Sequence, residues 1–256
     1  HILICEDSLE GIFTAVYVAY EKRYRPEQTA IVTTEEGNMR LFAVYEHVLT
    51  DSVKSGKVMN TLRRRFGEEG FYKFCLALAS TGEDKGTVVY RTIARGLGLR
   101  RPFAVFDMHT DRNVDRTHKL KYQAWHEMHQ LFGFVRFREI QGGILFSEIC
   151  PKNNVLPFLA DHFSDRFPAE HFLIYDKGRT LFAVHEAGRQ WFLAQDLHFE
   201  REGVTESETE ALYQELFRHF CHKIAIEARG NDALQRGMLP LHFRLYMTEF
   251  TNSLPK

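Results

Sequence analysis

The sequence has no apolar run close to the 18 or so residues that a membrane-spanning helix requires. Its most apolar stretch, Gly11 to Tyr20, is about half that length. Glu6, Asp7 and Glu10 precede or open it, where a secretory leader would carry basic residues, so neither a membrane span nor a signal peptide is expected. Cysteine is scarce: Cys5, Cys75, Cys150 and Cys221 are the only four, each about seventy residues from the next. That spacing excludes CxxC pairs, zinc knuckles and iron–sulfur runs, and it predicts reduced thiols in a cytoplasmic protein. Proline and serine form no linker, and there is no repeat or low-complexity tract. A Walker A loop, GxGxxG and GxSxG are all missing, as is the H-x-E with P-C-x-x-C of zinc nucleobase deaminases.

What is present is ordinary in bulk and uneven in detail. With 256 residues, 44% hydrophobic and 26% charged, the chain suits one large globular domain or two small ones. The net charge of −1 hides an asymmetry. Residues 54–138 hold 17 Lys and Arg against 8 Asp and Glu, while the remainder holds 16 against 26. Arg63-Arg64-Arg65, Arg91, Arg95, Arg100-Arg101, Arg112 and Arg116 carry much of the surplus. Such a segment is either a phosphate footprint or a solvated surface paired with the acidic ends.

Periodicity places the elements. Ile2–Cys5 reads as a strand, and Ser8 caps a helix to about Tyr20. Thr29–Thr34 and Leu41–Leu49 read as strands around a Glu36-Gly37-Asn38 turn. Helices follow from Asp51 or Ser52 to Phe66, Phe71 to Ala79 and Gly86 to Leu97, with Gly67–Gly70 as punctuation; a long helix runs from Pro102 to about Phe132. Phe134–Ile140 and Ile144–Ile149 flank Gln141-Gly142-Gly143 as a hairpin. Asn153 or Asn154 caps a helix through Phe167. Phe172–Tyr175, Thr180–His185 and Gln190–Leu193 form a meander, and Thr205 opens a last helix that Gly230 closes. The expectation is α+β: an antiparallel meander with a helix insertion, packed against a helical middle segment and a long C-terminal helix. Residues 1–84 would be an N-terminal α/β segment leading into helices and 85–250 a core domain, unless the two form one unit.

Several motifs bear on chemistry. In His126-Glu-Met-His129 the histidines are three apart and not four, and Glu127 points about 160° from His129 on a helix. The spacing therefore argues against a zincin-type metal site, and no cofactor is expected. Phe132-Gly-Phe-Val-Arg-Phe137 resembles an RNP1 strand without its leading basic-Gly pair. On a strand, Arg136 and Arg138 would share a face with Phe134, suiting phosphate contact and base stacking, or simply a solvent face beside a core phenylalanine. His162 and Arg166 lie one helical turn apart, as an anion site or a surface pair. Asp176 sits where turn chemistry alone explains an aspartate, and Arg229 and Asn231 flank a helix-ending glycine.

Taken together, Phe134-Val-Arg-Phe137, Pro151 through Asn153-Asn-Val-Leu-Pro157, His162-Phe163, Arg166-Phe167 and Leu173-Ile-Tyr-Asp176 resemble a bacterial family of DNA-metabolism or DNA-repair proteins. Ile224 through Arg229-Gly-Asn231, with Met238, Pro240 and Glu249, continues the likeness. The family's core is a domain of unknown function that would span Lys85 to Phe250. The resemblance implies a gene neighbour encoding a radical-SAM protein that modifies or repairs DNA, and fusions of the core to uracil-DNA-glycosylase-like domains. Three stretches differ from the family pattern: Cys5-Glu-Asp-Ser8 stands for Tyr-Asp-Gly-Ser, Glu127-Met-His129-Gln130 for Glu-x-His-Arg, and Leu241-His-Phe243 for the aromatic-rich stretch after the C-terminal proline.

The expected function is a DNA-binding accessory protein in repair or base modification, acting with a radical-SAM partner. Arg136, Arg138, His162 and Arg166 would face phosphate, with Arg229 and Asn231 contributing. The alternatives are a nucleic-acid-processing enzyme, hydrolytic or base-excising, with Glu127, His129, His162 and Asp176 as acid–base groups, or a protein-binding subunit without DNA affinity.

Overall fold

The computed structural model describes residues 1–34, 41–195, 206–224 and 231–250. The chain forms two compact units, His1–His126 and Glu127–Lys256. The fold is α+β, as the segregation of strand and helix runs predicts.

The first unit is built on β1 (Ile2–Cys5), whose residues are almost wholly enclosed. An uninterrupted apolar strand belongs at the centre of a parallel sheet. Accordingly β2 (Ala30–Val32) pairs with it in parallel on one side and β3 (Tyr45–Val48) on the other, giving the order β2-β1-β3. The two segments read as strands around a turn are therefore not partners; β1 lies between them. The Glu36-Gly37-Asn38 turn falls outside the described residues. Ser8 caps α1 (Leu9–Glu21), its hydroxyl accepting from the Gly11 N–H at 3.0 Å.

Asp51 caps α2 (Ser52–Ala79) by accepting from the Val53 and Lys54 N–H groups. Gly67 interrupts α2 at φ 76° and ψ 172°, so the predicted break is a kink. α3 (Lys85–Leu97) begins on a buried lysine whose ammonium donates to the Ser80 carbonyl at 2.9 Å and pairs with Asp7 at 2.6 Å. Asp84 is gripped by Arg116 through two hydrogen bonds of 2.8 and 2.9 Å, which hold its carboxyl below the usual carboxylate range. The helix expected from Pro102 begins later. Pro102–Asp107 is a 3-10 turn, and α4 (Arg112–Phe134) starts where Asp111 accepts from the Asn113 and Val114 N–H groups.

The second unit centres on a five-stranded sheet, β4 (Arg138–Ile140), β5 (Ile144–Ile149), β6 (His171–Asp176), β7 (Leu181–His185) and β8 (Phe192–Gln195), in that order. The β4–β5 hairpin and the β6–β7–β8 meander are antiparallel. β5 and β6 run parallel because α5 (Leu156–Arg166) carries the chain back between them. One sheet face buries Ile140, Phe146 and Phe182 with Leu173, Tyr175 and Val184 against them. On the other, Phe163 of α5 meets Phe137 at 5.1 Å, which in turn meets Phe172 at 5.9 Å. α6 (Glu210–Ile224), α7 (Asp232–Met238) and α8 (Leu241–Arg244) complete the described chain. The predicted limits of the last long helix, Thr205 and Gly230, lie outside the described residues.

Candidate functional site

Glu127 and Asp176, two of the expected acid–base groups, are both enclosed. Glu127 is 7% exposed and Asp176 is fully buried. The Glu127 carboxylate accepts from the Lys152 N–H at 2.8 Å through Oε1. Its Oε2 accepts from the Asn153 N–H at 2.8 Å and the Asn153 Nδ2 at 2.7 Å. It thereby fastens the loop that leaves the C-terminal end of β5. Asn153 spends its side chain here and does not cap α5, whose N-cap is Val155 with no side-chain bond.

Asp176 ends β6, adjacent to Ile149 across the parallel pair. Its Oδ1 accepts from the Gly178 and Arg179 N–H groups, and its Oδ2 from Arg179 Nη1 at 2.9 Å. Burial pushes its carboxyl up, and the Arg179 guanidinium and the two N–H groups oppose that shift. Arg179 continues to the carbonyls of Pro151, at 3.1 Å, and Lys152. The loop from Pro151 to Asn153 is thus tied by Glu127 through its N–H groups and by Arg179 through its carbonyls. Sequence reasoning missed Arg179; its only local signal is a position three residues after a turn aspartate.

The histidines lie apart from this arrangement. His129 is exposed, 6.2 Å from the Phe132 ring, so Glu127 and His129 diverge as the helical angle predicts. His162 stacks on Phe132 with ring centroids 4.1 Å apart. Burial, and then the Arg166 charge, hold its pKa below the ordinary value. Among the described residues no group of three or more His, Cys, Asp or Glu is arranged to hold a metal ion.

The shared face expected for Phe134, Arg136 and Arg138 does not form, because α4 continues through Phe134 and β4 begins only at Arg138. Arg136 is bound to Glu249 by hydrogen bonds of 2.8 and 3.2 Å and donates to the Gly133 carbonyl at 2.7 Å. Arg138 pairs with Glu206 at 3.3 Å and lies over the Phe146 ring. Arg166 is exposed, beside the Phe167 ring. Asn231 caps α7, accepting from the Leu234 N–H at 3.0 Å. Arg229 lies outside the described residues.

A different set of arginines is free. Arg64, Arg65, Arg95, Arg100 and Arg101 are exposed, and among the described residues they form no ion pair. By contrast Arg63 meets Glu68, Arg116 meets Asp84, and Arg91 donates to the carbonyls of Pro26, Glu27 and Thr29. Local packing gathers the five. Gly96 of α3 touches Phe66 of α2 so closely that a Cβ there would stand 2.5 Å from the ring and 3.2 Å from the Pro102 carbonyl. Phe66 directly follows Arg64-Arg65, Gly96 follows Arg95, and Pro102 follows Arg100-Arg101. Five cations without an ion-pair partner among the described residues therefore lie within two residues, along the chain, of one point of close packing in the first unit.

Fold and site together define an α+β protein with buried polar ties at the C-terminal edge of β5 and β6 and, in its first unit, exposed arginines on α2, α3 and the segment after α3. The family model described as a domain of unknown function, DUF4130, matches residues 83–249, and the chain belongs to that family. No curated protein matches it. No helix among the described residues is long and apolar enough to cross a membrane.

Proposed function

We propose that this chain binds nucleic acid through the surface of its first unit that carries Arg64, Arg65, Arg95, Arg100 and Arg101, as an accessory to DNA repair or base modification. The observation behind the reading is the five-arginine cluster around Phe66, Gly96 and Pro102. Cations without internal partners keep their full attraction for a phosphate backbone, whereas arginines already held by carboxylates must first give those up. Arg136 and Arg138 are of the second kind. The repair setting and the radical-SAM partner rest on the family resemblance alone. Glu127 and Asp176 are saturated by donors that hold a loop, so acid–base chemistry by them is not part of the proposal.

Fluorescence anisotropy of single-stranded and duplex DNA across a salt series tests it. Affinity should fall with log salt, and Arg64→Ala/Arg65→Ala/Arg100→Ala/Arg101→Ala should flatten the slope by about 0.7–0.9 for each phosphate no longer neutralised. Arg136→Ala should leave the slope unaltered. An unchanged slope in the folded quadruple variant would remove the cluster from the reading.

A second reading, a protein-binding subunit, has its own observation. On α6, Leu212, Tyr213, Leu216 and Phe220 are each more than half exposed, at 57, 63, 54 and 57%. Apolar side chains repeated at helical spacing on a solvent face suit binding to another protein. Stable co-purification with the radical-SAM protein, combined with no DNA affinity at low salt, would select it.

A further inference from the structure

A cleft of about 600 Å³ opens in the second unit between the outer face of α5 and the turn joining β7 to β8. Its walls are fixed. The Gly188 N–H donates to the Pro168 carbonyl at 2.8 Å, tying the turn to the chain after α5. Trp191 donates its indole N–H to Asp161 Oδ1 at 2.8 Å, which sets the ring plane; among the described residues nothing engages Oδ2. Asp165 lies one turn further along α5. Arg189 also lines the cleft and pairs with Glu186 at 2.7 Å.

His185 forms an inner wall and is only 3% exposed. It stacks on Phe172 at 4.6 Å, and its Nδ1 lies 2.9 Å from the Glu170 carbonyl. A carbonyl only accepts, so Nδ1 carries the proton and donates. The other ring nitrogen, Nε2, has no hydrogen-bond partner among the described residues.

We infer that this cleft binds a guanidinium group. Beside the Arg189–Glu186 pair, what the cleft offers is two aspartates, the Nε2 edge of an imidazole and an indole ring. Guanidinium is planar, cationic, made only of donors, pairs with carboxylates through two bonds and stacks on aromatic faces. An ammonium uses neither the plane nor the acceptor array as fully. A nucleobase would set its own acceptors against the carboxylates, and a nucleotide's phosphate would meet Asp161 and Asp165. The group can arrive as a small guanidino compound or as an arginine side chain of a protein. The inference is independent of the nucleic-acid reading, and the failure of either leaves the other standing.

The test uses the full chain with Trp125→Phe, so that Trp191 is the only tryptophan. Its fluorescence and the binding heat are followed against arginine methyl ester, Gly-Arg-Gly, citrulline and adenosine at constant ionic strength. Arginine methyl ester should give a saturable change and citrulline none. Asp165→Asn, at an exposed position, should weaken binding by about tenfold or more. Asp161→Asn should weaken it similarly while its amide oxygen still holds the Trp191 N–H. Binding of Gly-Arg-Gly as well as the ester supports an arginine side chain as the occupant; binding of the ester alone supports a small guanidino compound. No saturable signal, an equal response to citrulline, a response to adenosine instead, or no loss in folded Asp165→Asn would overturn the assignment.

Discussion

A carboxylate taken out of water must meet either a cation or several hydrogen-bond donors. Glu127 takes the second course, with three N–H donors from Lys152 and Asn153. Replacing it strands those donors inside the protein. Glu127→Ala should therefore lower stability by about 2–4 kcal/mol, measured as a shift in the urea midpoint. Glu127→Gln should also destabilise, because its amide N–H would face a donor. If Glu127→Ala left the midpoint unmoved, the loop-fastening role would be wrong. Nothing local to Glu127 reveals this. The sequence shows a glutamate beside a histidine and two before another, and its partners come from residues 25 and 26 positions away.

Among helices and strands, local chemistry was more readable. Ser8 caps the helix it is expected to cap, and of the two candidates Asp51 and Ser52 it is Asp51 that caps α2, since a cap depends on residues within one turn. Gly67 was legible as punctuation for the same reason. Its backbone, at φ 76° and ψ 172°, occupies a region essentially reserved for glycine, and open space surrounds its Cβ position. Gly67→Ala should cost about 1–3 kcal/mol from backbone strain alone. Gly56→Ala, in a regular turn of the same helix with equally open space, should add about 0.5–1 kcal/mol. Paired denaturant titrations check both, and equal effects at the two sites would refute the kink as the cause. Less was legible where two local signals compete. Pro102 suits a helix start but begins only a 3-10 turn, because Asp111, a stronger cap, lies further on. Asn153 suits a cap but is claimed by Glu127.

Across the molecule, burial sorts chemically identical groups. Cys5 and Cys75 are buried, and burial pushes each thiol up to about 12, while Cys150 and Cys221 are partly accessible. At pH 8 a thiol-reactive dye should label two cysteines quickly in the native protein and four after unfolding. Cys150→Ser and Cys221→Ser should each remove one fast equivalent. Rapid labelling of Cys5 or Cys75 would contradict the packing of β1 and α2.

Residue order alone was enough to mark most of the strands and helices, the α+β class and the position of the surplus positive charge. Those properties follow from residues within a turn or a strand of one another. Which charges are spent was settled by tertiary structure. Arg136 is held by Glu249, 113 residues later, and Asp176 is satisfied partly by an arginine whose other bonds reach back to Pro151 and Lys152. Arg64, Arg65, Arg95, Arg100 and Arg101 are left without ion-pair partners among the described residues. Charge is carried by the residue, but its availability depends on whatever the fold brings within hydrogen-bonding distance, and periodicity holds no record of that.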